Sequence, residues 1–336
     1  MDKNVLLKVD GLRTSFQTFM GEAEAVRNVS FTVGRKEIVG IVGESGSGKS
    51  VSAMSVTKLL PDNAVIKAGE IIFDGKDLNK LSEKEMRRIR NNQISMIFQD
   101  PMSSLNPVVR IDRQIMERLQ AFDRGLSNKA ARQKAERLLG MVHIPDAAQR
   151  LKSYPFEMSG GMCQRVMIAV AIACEPKLLI ADEPTTALDV TIQSEILKLL
   201  RSLRDDTGSS IVLITHDLGV VAETCERVVV MYGGMVMEEG TVEEIFYDTA
   251  HPYTQGLKRS IPDVSNTGGG RLFSIPGTPP PVIGPPKGCP FADRCQHAMR
   301  VCRDHLPEYY RMSDTHRSAC WLLDADCPNR TWKEEM

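Results

Sequence analysis

A glycine-rich segment at residues 43–50, with the sequence GESGSGKS, has the spacing of a phosphate-binding loop. Glycines let main-chain N–H groups turn inward around phosphate oxygens, and a helix that begins after the loop points its positive end at the same anion. Lys49 is placed to reach the β- and γ-phosphates, and Ser50 to bind Mg²⁺. The motif follows the apolar residues 38–42, as a strand–loop–helix site requires. It predicts a nucleotide site built from Gly43, Glu44, Ser45, Gly46, Ser47, Gly48, Lys49 and Ser50.

The loop's candidate ligands end at Ser50. A serine at position 51 would add a second hydroxyl to the site, but the residue there is Val51, whose side chain offers no ligand to phosphate or Mg²⁺. Position 51 therefore contributes no side-chain contact to the predicted site.

Two carboxylates, Asp182 and Glu183, directly follow the apolar residues 178–181. One carboxylate at such a strand end can hold Mg²⁺, and the next can orient or deprotonate an attacking water. Acidic residues also end many strands for structural reasons, so this pattern alone leaves both interpretations open. Together with the phosphate-binding loop it favours hydrolysis.

Four cysteines near the C-terminus have the spacing C-x5-C-x6-C-x17-C. This spacing indicates a four-thiolate metal site without choosing the metal. Zinc with His297, His305 or His316, and reduced thiols without a metal, remain alternatives, whereas disulfides are disfavoured in a cytoplasmic protein. We expect nearby arginines to help offset thiolate charge, and these are Arg294, Arg300, Arg303 and Arg317. The thiols themselves are Cys289, Cys295, Cys302 and Cys320.

Alternating strand and helix patterns must position these residues. Apolar strand-like runs precede the loop, the carboxylates and His216, and amphipathic segments separate them, which predicts an α/β fold with a mostly parallel sheet covered on both faces. Residues 111–151 show helical periodicity without a strand signal and are predicted to be a helical insertion. The proline-rich residues 277–286 predict an extended linker. We therefore place a boundary near residue 250 and a small cofactor-dependent module after about residue 285.

Length and charge limit the possible functions. The 336 residues suggest two units, and 42 lysines and arginines against 43 acidic residues give no bias toward nucleic acid. The longest apolar runs are shorter than the roughly 20 residues that a membrane helix needs, and the N-terminus lacks a signal-peptide core. The sequence predicts a cytoplasmic protein without nucleic acid as a partner.

Residues 159–165, with the sequence SGGMCQR, resemble the signature of ATP-binding cassette (ABC) proteins. Other family positions follow in order: Gln99 resembles the Q-loop glutamine, Asp189 the D-loop aspartate and His216 the switch histidine. Phe16 lies where the family places an aromatic that stacks on adenine, with Phe19 as the alternative.

This resemblance implies a P-loop NTPase core at residues 1–250, with an antiparallel β subdomain and a helical insertion at about residues 101–160. It implies ATP hydrolysis in which the signature of one cassette closes over ATP held by another, so a partner cassette is required. The implied catalytic residues are Glu183, His216 and Gln99. The implied Mg²⁺ ligands are Ser50, Gln99 and Asp182. Beyond the loop, the implied nucleotide contacts are Phe16, Gln99, Ser159, Gly160, Gly161 and Asp189.

Two further segments, DPMSSLNP at residues 100–107 and HPYT at residues 251–254, are similar to the ATPase subunits of oligopeptide and dipeptide permeases. The similarity extends through residues 251–336 and implies peptide import, with a nickel or glutathione importer or a soluble ABC ATPase as alternatives. It also implies a position at the cytoplasmic face of the membrane and a 4Fe-4S cluster, rather than zinc, in the tail. The implied partners are a second ABC ATPase subunit in a heterodimer, two transmembrane permease subunits and an extracytoplasmic substrate-binding protein.

Overall fold

The computed structural model describes residues 4–100, 104–186, 188–261 and 273–327 and divides the chain into two compact units. The first unit contains residues 4–6, 33–38 and the described residues between 78 and 214. The second unit contains residues 7–32, 39–77 and the described residues from 215 onward. The division at residue 250 and the insertion bounds at residues 101–160 stay predictions.

The strands, numbered in chain order, are β1 Val5–Thr18, β2 Gly21–Gly34, β3 Ile38–Val42, β4 Ala64–Phe73, β5 Lys76–Asp77, β6 Ile94–Ile97, β7 Leu178–Asp182, β8 Ser210–Thr215, β9 Arg227–Tyr232, β10 Met235–Thr241, β11 Tyr310–Arg311 and β12 Arg317–Ser318. The α-helices are α1 Lys49–Thr57, α2 Glu83–Asn92, α3 Ile111–Phe122, α4 Asn128–Met141, α5 Ala147–Arg150, α6 Gly160–Ile172, α7 Val190–Thr207, α8 Leu218–Thr224, α9 Val242–Tyr247, α10 Pro252–Arg259 and α11 Arg300–Asp304.

The first unit contains the parallel strands β6, β7 and β8, with β7 in the middle. Every residue of β7 and β8 is buried, because parallel strands covered on both faces present apolar side chains in both directions. Helices α3, α4 and α5 confirm the helical prediction for residues 111–151. Helix α2 was not predicted. Its capping box, in which Ser82 and Glu85 bond each other's main-chain N–H, gives a charged segment a defined start.

In the second unit, β1 pairs antiparallel with β4, and the sheet order is β2–β1–β4–β5. This is the antiparallel β subdomain that the resemblance implied. A second set of strands begins with β3, which pairs parallel with β9. Strand β9 then turns back into β10 through Gly233 and Gly234, whose positive φ values of 55° and 83° suit a two-residue hairpin.

The C-terminal strands correct two predictions. Strand β12 pairs antiparallel with β10, Ser318 opposite Glu238, and with β11. These antiparallel strands make the sheet mixed rather than mostly parallel. They also bring the tail into the sheet of the second unit, so the separate cysteine-rich module expected after residue 285 is not supported.

The proline-rich segment is extended, as predicted, but it lies along β2. The Glu24 N–H donates to the Val282 carbonyl at 2.9 Å, and Ala23 and Ile283 form an isolated antiparallel bridge. Proline has no N–H to donate, so this segment donates to β2 through Gly284, whose N–H bonds to the Glu22 carbonyl at 3.3 Å.

A helix that crosses a membrane must be long and apolar. Within the described ranges, none of the helices is both long and apolar enough to cross a bilayer.

Candidate functional site

The glycine-rich loop joins β3 to α1 in the second unit. Gly43 has φ of +154°, and a Cβ atom there would lie 2.0 Å from the Met231 carbonyl oxygen, so a larger residue cannot occupy this position without moving the strand beside it. Gly48 caps α1, and the helix begins at Lys49. The hydroxyl of Ser47 is buried and has no hydrogen-bond partner among the described residues. The N-terminus of α1 and the unpartnered Ser47 hydroxyl form a cradle that suits phosphate.

Lys49 is 5% exposed. Its Nζ donates to the carbonyl oxygens of Gly43 at 2.6 Å and Glu44 at 3.0 Å. The ammonium is therefore held against the loop, where a phosphate would meet it. Of the remaining loop residues, Ser50 and Glu44 are half-buried, and Ser45 and Gly46 are exposed.

Position 51 is excluded from the site by both its residue type and its place. No serine contacts the nucleotide from position 51, because the chain has Val51 there. Val51 is half-buried in the first turn of α1, and its carbonyl oxygen accepts from the Ser55 hydroxyl at 2.7 Å. An isopropyl side chain has no atom that binds phosphate or Mg²⁺, whereas the assignment of Ser50 as the hydroxyl ligand of this turn stays a prediction.

Phe16, a predicted nucleotide contact, and His216, a predicted catalytic residue, lie elsewhere in the second unit. Phe16 is half-buried on β1, opposite Ala64, whereas Phe19 is fully exposed. His216 is exposed directly after β8, and the next residue, Asp217, caps α8 by accepting from the Gly219 N–H at 2.8 Å. The assignments of Phe16 and His216 stay predictions.

The first unit brings two of the predicted catalytic residues together. Gln99 Nε2 donates to Glu183 Oε2 at 2.9 Å, and Thr186 Oγ1 donates to the same oxygen at 2.8 Å. Glu183 has φ of +46°, a left-handed conformation that is strained for a residue with a side chain and recurs at functional sites. Asp182 is the last residue of β7 and is 6% exposed. The carboxylate of Glu183 thus has two fixed donors at one oxygen, and sequence reasoning did not identify Thr186.

The signature residues also belong to the first unit. Ser159 caps α6 by accepting from the Met162 N–H at 3.3 Å, and Gly160 has open space where a Cβ would point. A Cβ on Gly161 would lie 3.0 Å from Ile192 on α7. Asp189 caps α7 by accepting from the Ile192 N–H at 2.9 Å. Ser159 and Gly160 are exposed at a helix N-terminus, a position suited to an anion.

The four tail cysteines line one pocket in the second unit, together with His251, His297 and apolar side chains. Cys302 and Cys320 are each 8% exposed. Burial raises the pKa of Cys289 to about 12 and that of Cys295 to about 11, so both are neutral thiols when nothing binds them. Among the described residues, no group of three or more histidine, cysteine, aspartate or glutamate side chains is found that could hold a metal ion.

His251 is buried at the wall of this pocket. Its Nδ1 accepts from the Tyr253 N–H at 3.0 Å, which assigns the ring proton to Nε2. Burial lowers the pKa of His251 to about 3, so the ring is neutral at pH 7. Nε2 is a buried donor with no partner in the described part of the chain.

The sequence left His316 open as a zinc ligand, but in the structure it contacts a carboxylate. Its Nε2 lies 2.8 Å from Glu238 Oε1, with both side chains at most 1% exposed. Glu238 also accepts from the N–H groups of Ala250 and His251. His316 therefore satisfies a buried carboxylate.

The arginines near the cysteines form ion pairs with carboxylates, and their effect on thiolate charge stays a prediction. Arg317 contacts Glu239 at 2.7 Å, and the remaining pairs are Arg294 with Glu44, Arg300 with Asp304 and Arg303 with Asp293. Sequence spacing could not show this, because the Arg294–Glu44 pair joins residues 250 positions apart.

Two family models match this chain. One, described as ABC transporter, matches residues 26–186. The other, described as Oligopeptide/dipeptide transporter, C-terminal region, matches residues 237–302.

Curated relatives match over nearly the whole length. The chain is 51% identical over 324 residues to the oligopeptide transport ATP-binding protein OppD of Bacillus subtilis, covering 96% of this chain and 90% of that protein. It is 49% identical to the dipeptide transport ATP-binding protein DppD of Lactococcus lactis, covering 98% and 95%. A dimeric post-hydrolysis structure of the ATP-binding cassette MJ0796 bound to ADP and Pi is 29% identical, with a TM-score of 0.64, covering 70% of this chain and 99% of that one.

Proposed function

This chain belongs to the ABC transporter ATPases whose C-terminal region is of the oligopeptide/dipeptide transporter type, and from that membership we propose that it powers the import of peptides through a membrane transporter. The observation that carries the proposal is the extent of similarity: identity near 50% continues through the tail of proteins named for oligopeptide and dipeptide transport. Their names favour peptide over nickel or glutathione as the cargo, and transport over a soluble ATPase role.

The family implies ATP and Mg²⁺ as ligands. The cradle of residues 43–50 supports phosphate binding, with Lys49 as the charged contact and Ser50 and Asp182 as Mg²⁺ ligands together with Gln99. Bound Mg²⁺ would neutralise phosphate charge. Phe16 would stack on adenine. Ser159, Gly160, Gly161 and Asp189 would meet the nucleotide held by a partner cassette.

Glu183 is the proposed general base that orients and deprotonates the attacking water. The bonds from Gln99 and Thr186 to one carboxylate oxygen support this role by fixing the orientation of the side chain. Gln99 would thus position this carboxylate as well as bind Mg²⁺. His216 would hold the transferred phosphate from the exposed end of β8.

The proposed assembly contains a second ABC ATPase subunit, two permease subunits and a substrate-binding protein, with this chain at the cytoplasmic face of the cell membrane. Purification of the tagged chain from membranes tests this arrangement. We expect two hydrophobic subunits and a second cassette to co-purify. Recovery with ribosomes or DNA in their place would contradict a transport role.

We also propose that Cys289, Cys295, Cys302 and Cys320 hold a 4Fe-4S cluster that orders the tail. All four line one pocket, and the unpartnered Nε2–H of His251 at its wall could donate to a cluster sulfur. Because each thiolate of such a cluster binds a different iron, the four sulfur atoms need not converge on one point as zinc ligands must. Zinc remains the alternative.

Replacing Cys302 by serine is expected to abolish iron and sulfide binding and to loosen the tail. Anaerobically purified wild-type protein should be brown, with iron and sulfide each near four per chain. Cys327→Ser is the matched control, since Cys327 is a half-buried tail thiol outside the pocket lining. Colourless wild-type protein with one zinc per chain would reject the cluster.

A further inference from the structure

In the second unit, residues of the C-terminal region hold one residue of the phosphate-binding loop. Arg294 Nη1 lies 2.7 Å from Glu44 Oε2, and the hydroxyl of Tyr253 accepts from the Glu44 N–H at 2.9 Å. Both the side chain and the main chain of Glu44 are thus fixed by residues at least 209 positions later in the chain.

Arg294 is itself firmly held. Its side chain is 6% exposed, and its guanidinium lies over the ring of Tyr232 at 5.6 Å from the centroid. The same group donates to the Tyr232 hydroxyl at 3.0 Å and to the carbonyls of Ile275 and Pro276 at 3.0 and 2.8 Å. A buried guanidinium with this many acceptors is fixed in orientation, so its bond to Glu44 constrains the loop.

Tyr253 is a rigid support of the same kind. It is fully buried and packs against Tyr232 and Phe291, with ring centroids 4.6 and 5.3 Å away. Burial raises the pKa of its hydroxyl, which therefore stays neutral. Packing of the ring fixes the position of the hydroxyl next to the loop. Through Tyr253, the HPYT segment at residues 251–254 therefore supports the phosphate-binding loop.

The peptide groups of Glu44 connect these supports to the phosphate contact. The Glu44 N–H bonds to Tyr253, and the Glu44 carbonyl accepts from Lys49 Nζ at 3.0 Å. A shift of Glu44 would move a carbonyl that sets where the Lys49 ammonium lies. We propose that Arg294 and Tyr253 are positioning residues that hold the phosphate-binding loop in the shape that ATP requires; the inference rests on the proposed role of this loop.

A double-mutant cycle on the full-length chain tests the proposal. We expect Glu44→Gln and Arg294→Gln each to weaken Mg-ATP binding on the order of tenfold, and the double variant to be no weaker than either single one. Tyr253→Phe, which removes only the hydroxyl, should weaken binding by roughly fivefold. Arg300→Gln is the control, because Arg300 is a tail arginine that is 96% exposed.

Two further measurements separate positioning from simple loss of stability. In the assembled transporter, the variants should raise KM for ATP while kcat changes less than twofold, about 0.4 kcal/mol. Arg294→Lys should recover part of the affinity, because it keeps the charge but loses the fork that reaches the other acceptors.

The outcomes distinguish the inference from the proposed function. Wild-type chain that fails to bind Mg-ATP would overturn the function of the loop itself. If the wild-type chain binds Mg-ATP and Glu44→Gln and Tyr253→Phe bind it with the same affinity, the positioning role alone would be overturned. Additive losses of affinity in the double variant would overturn it as well.

Discussion

Replacing Glu183 by glutamine is expected to lower ATP hydrolysis by at least about two orders of magnitude while Mg-ATP still binds, the usual scale for the loss of a positioned base. An amide has the shape of the carboxylate but cannot accept the proton of the attacking water. The fold should persist, because the Glu183 N–H still donates to the Ile214 carbonyl at 2.9 Å. The closed pair of cassettes should accumulate with trapped ATP.

Steady-state hydrolysis measures this effect in a complex whose partner site is disabled. Glu175→Gln is the matched control: Glu175 is an exposed glutamate that precedes β7 and has a similar positive φ of 48°. It should hydrolyse ATP at the wild-type rate. Normal turnover by Glu183→Gln in this complex would show that another group activates the water.

Replacing Lys49 by alanine is expected to weaken ATP binding by roughly 10- to 100-fold, the range for losing hydrogen bonds to a charged group. The substitution removes the ammonium now held at the carbonyls of Gly43 and Glu44. Since the lost contact is to phosphate, the affinity should fall more for ATP than for adenosine.

Equilibrium binding of Mg-ATP to the purified chain provides the measurement. Lys84→Ala, at an exposed position on α2, is the control and should bind as wild type does. If Lys49→Ala bound ATP with unchanged affinity, Lys49 would have no place in the nucleotide site.

Much of the fold could be predicted because local signals agree with it. Strands β3, β7 and β8 are continuous apolar runs that stay buried, and the loop between β3 and α1 has a distinctive spacing. Helix α2 was missed because its residues are densely charged, although the Ser82 capping box was a readable signal. Strand β10 was missed because its carboxylates at residues 238 and 239 look like a solvated segment. Both are buried against partners from the distant tail.

The candidate site, too, could be predicted from the sequence only in part. The sequence identified Glu183 by its place after an apolar strand and Gln99 through the family resemblance, and the fold brings the two side chains to 2.9 Å. The sequence could not pair Arg294 or Tyr253 with Glu44, because contacts across more than 200 residues depend on the sheet that brings the segments together.

The central claim, peptide import driven by this ATPase, is tested most directly by uptake of a labelled peptide into proteoliposomes. These would hold this chain with its second cassette, the two permease subunits and the substrate-binding protein. We predict uptake that requires Mg-ATP on the side of this chain and is lost with Glu183→Gln. ATP hydrolysis without peptide uptake, accompanied by uptake of Ni²⁺ or glutathione, would contradict the account.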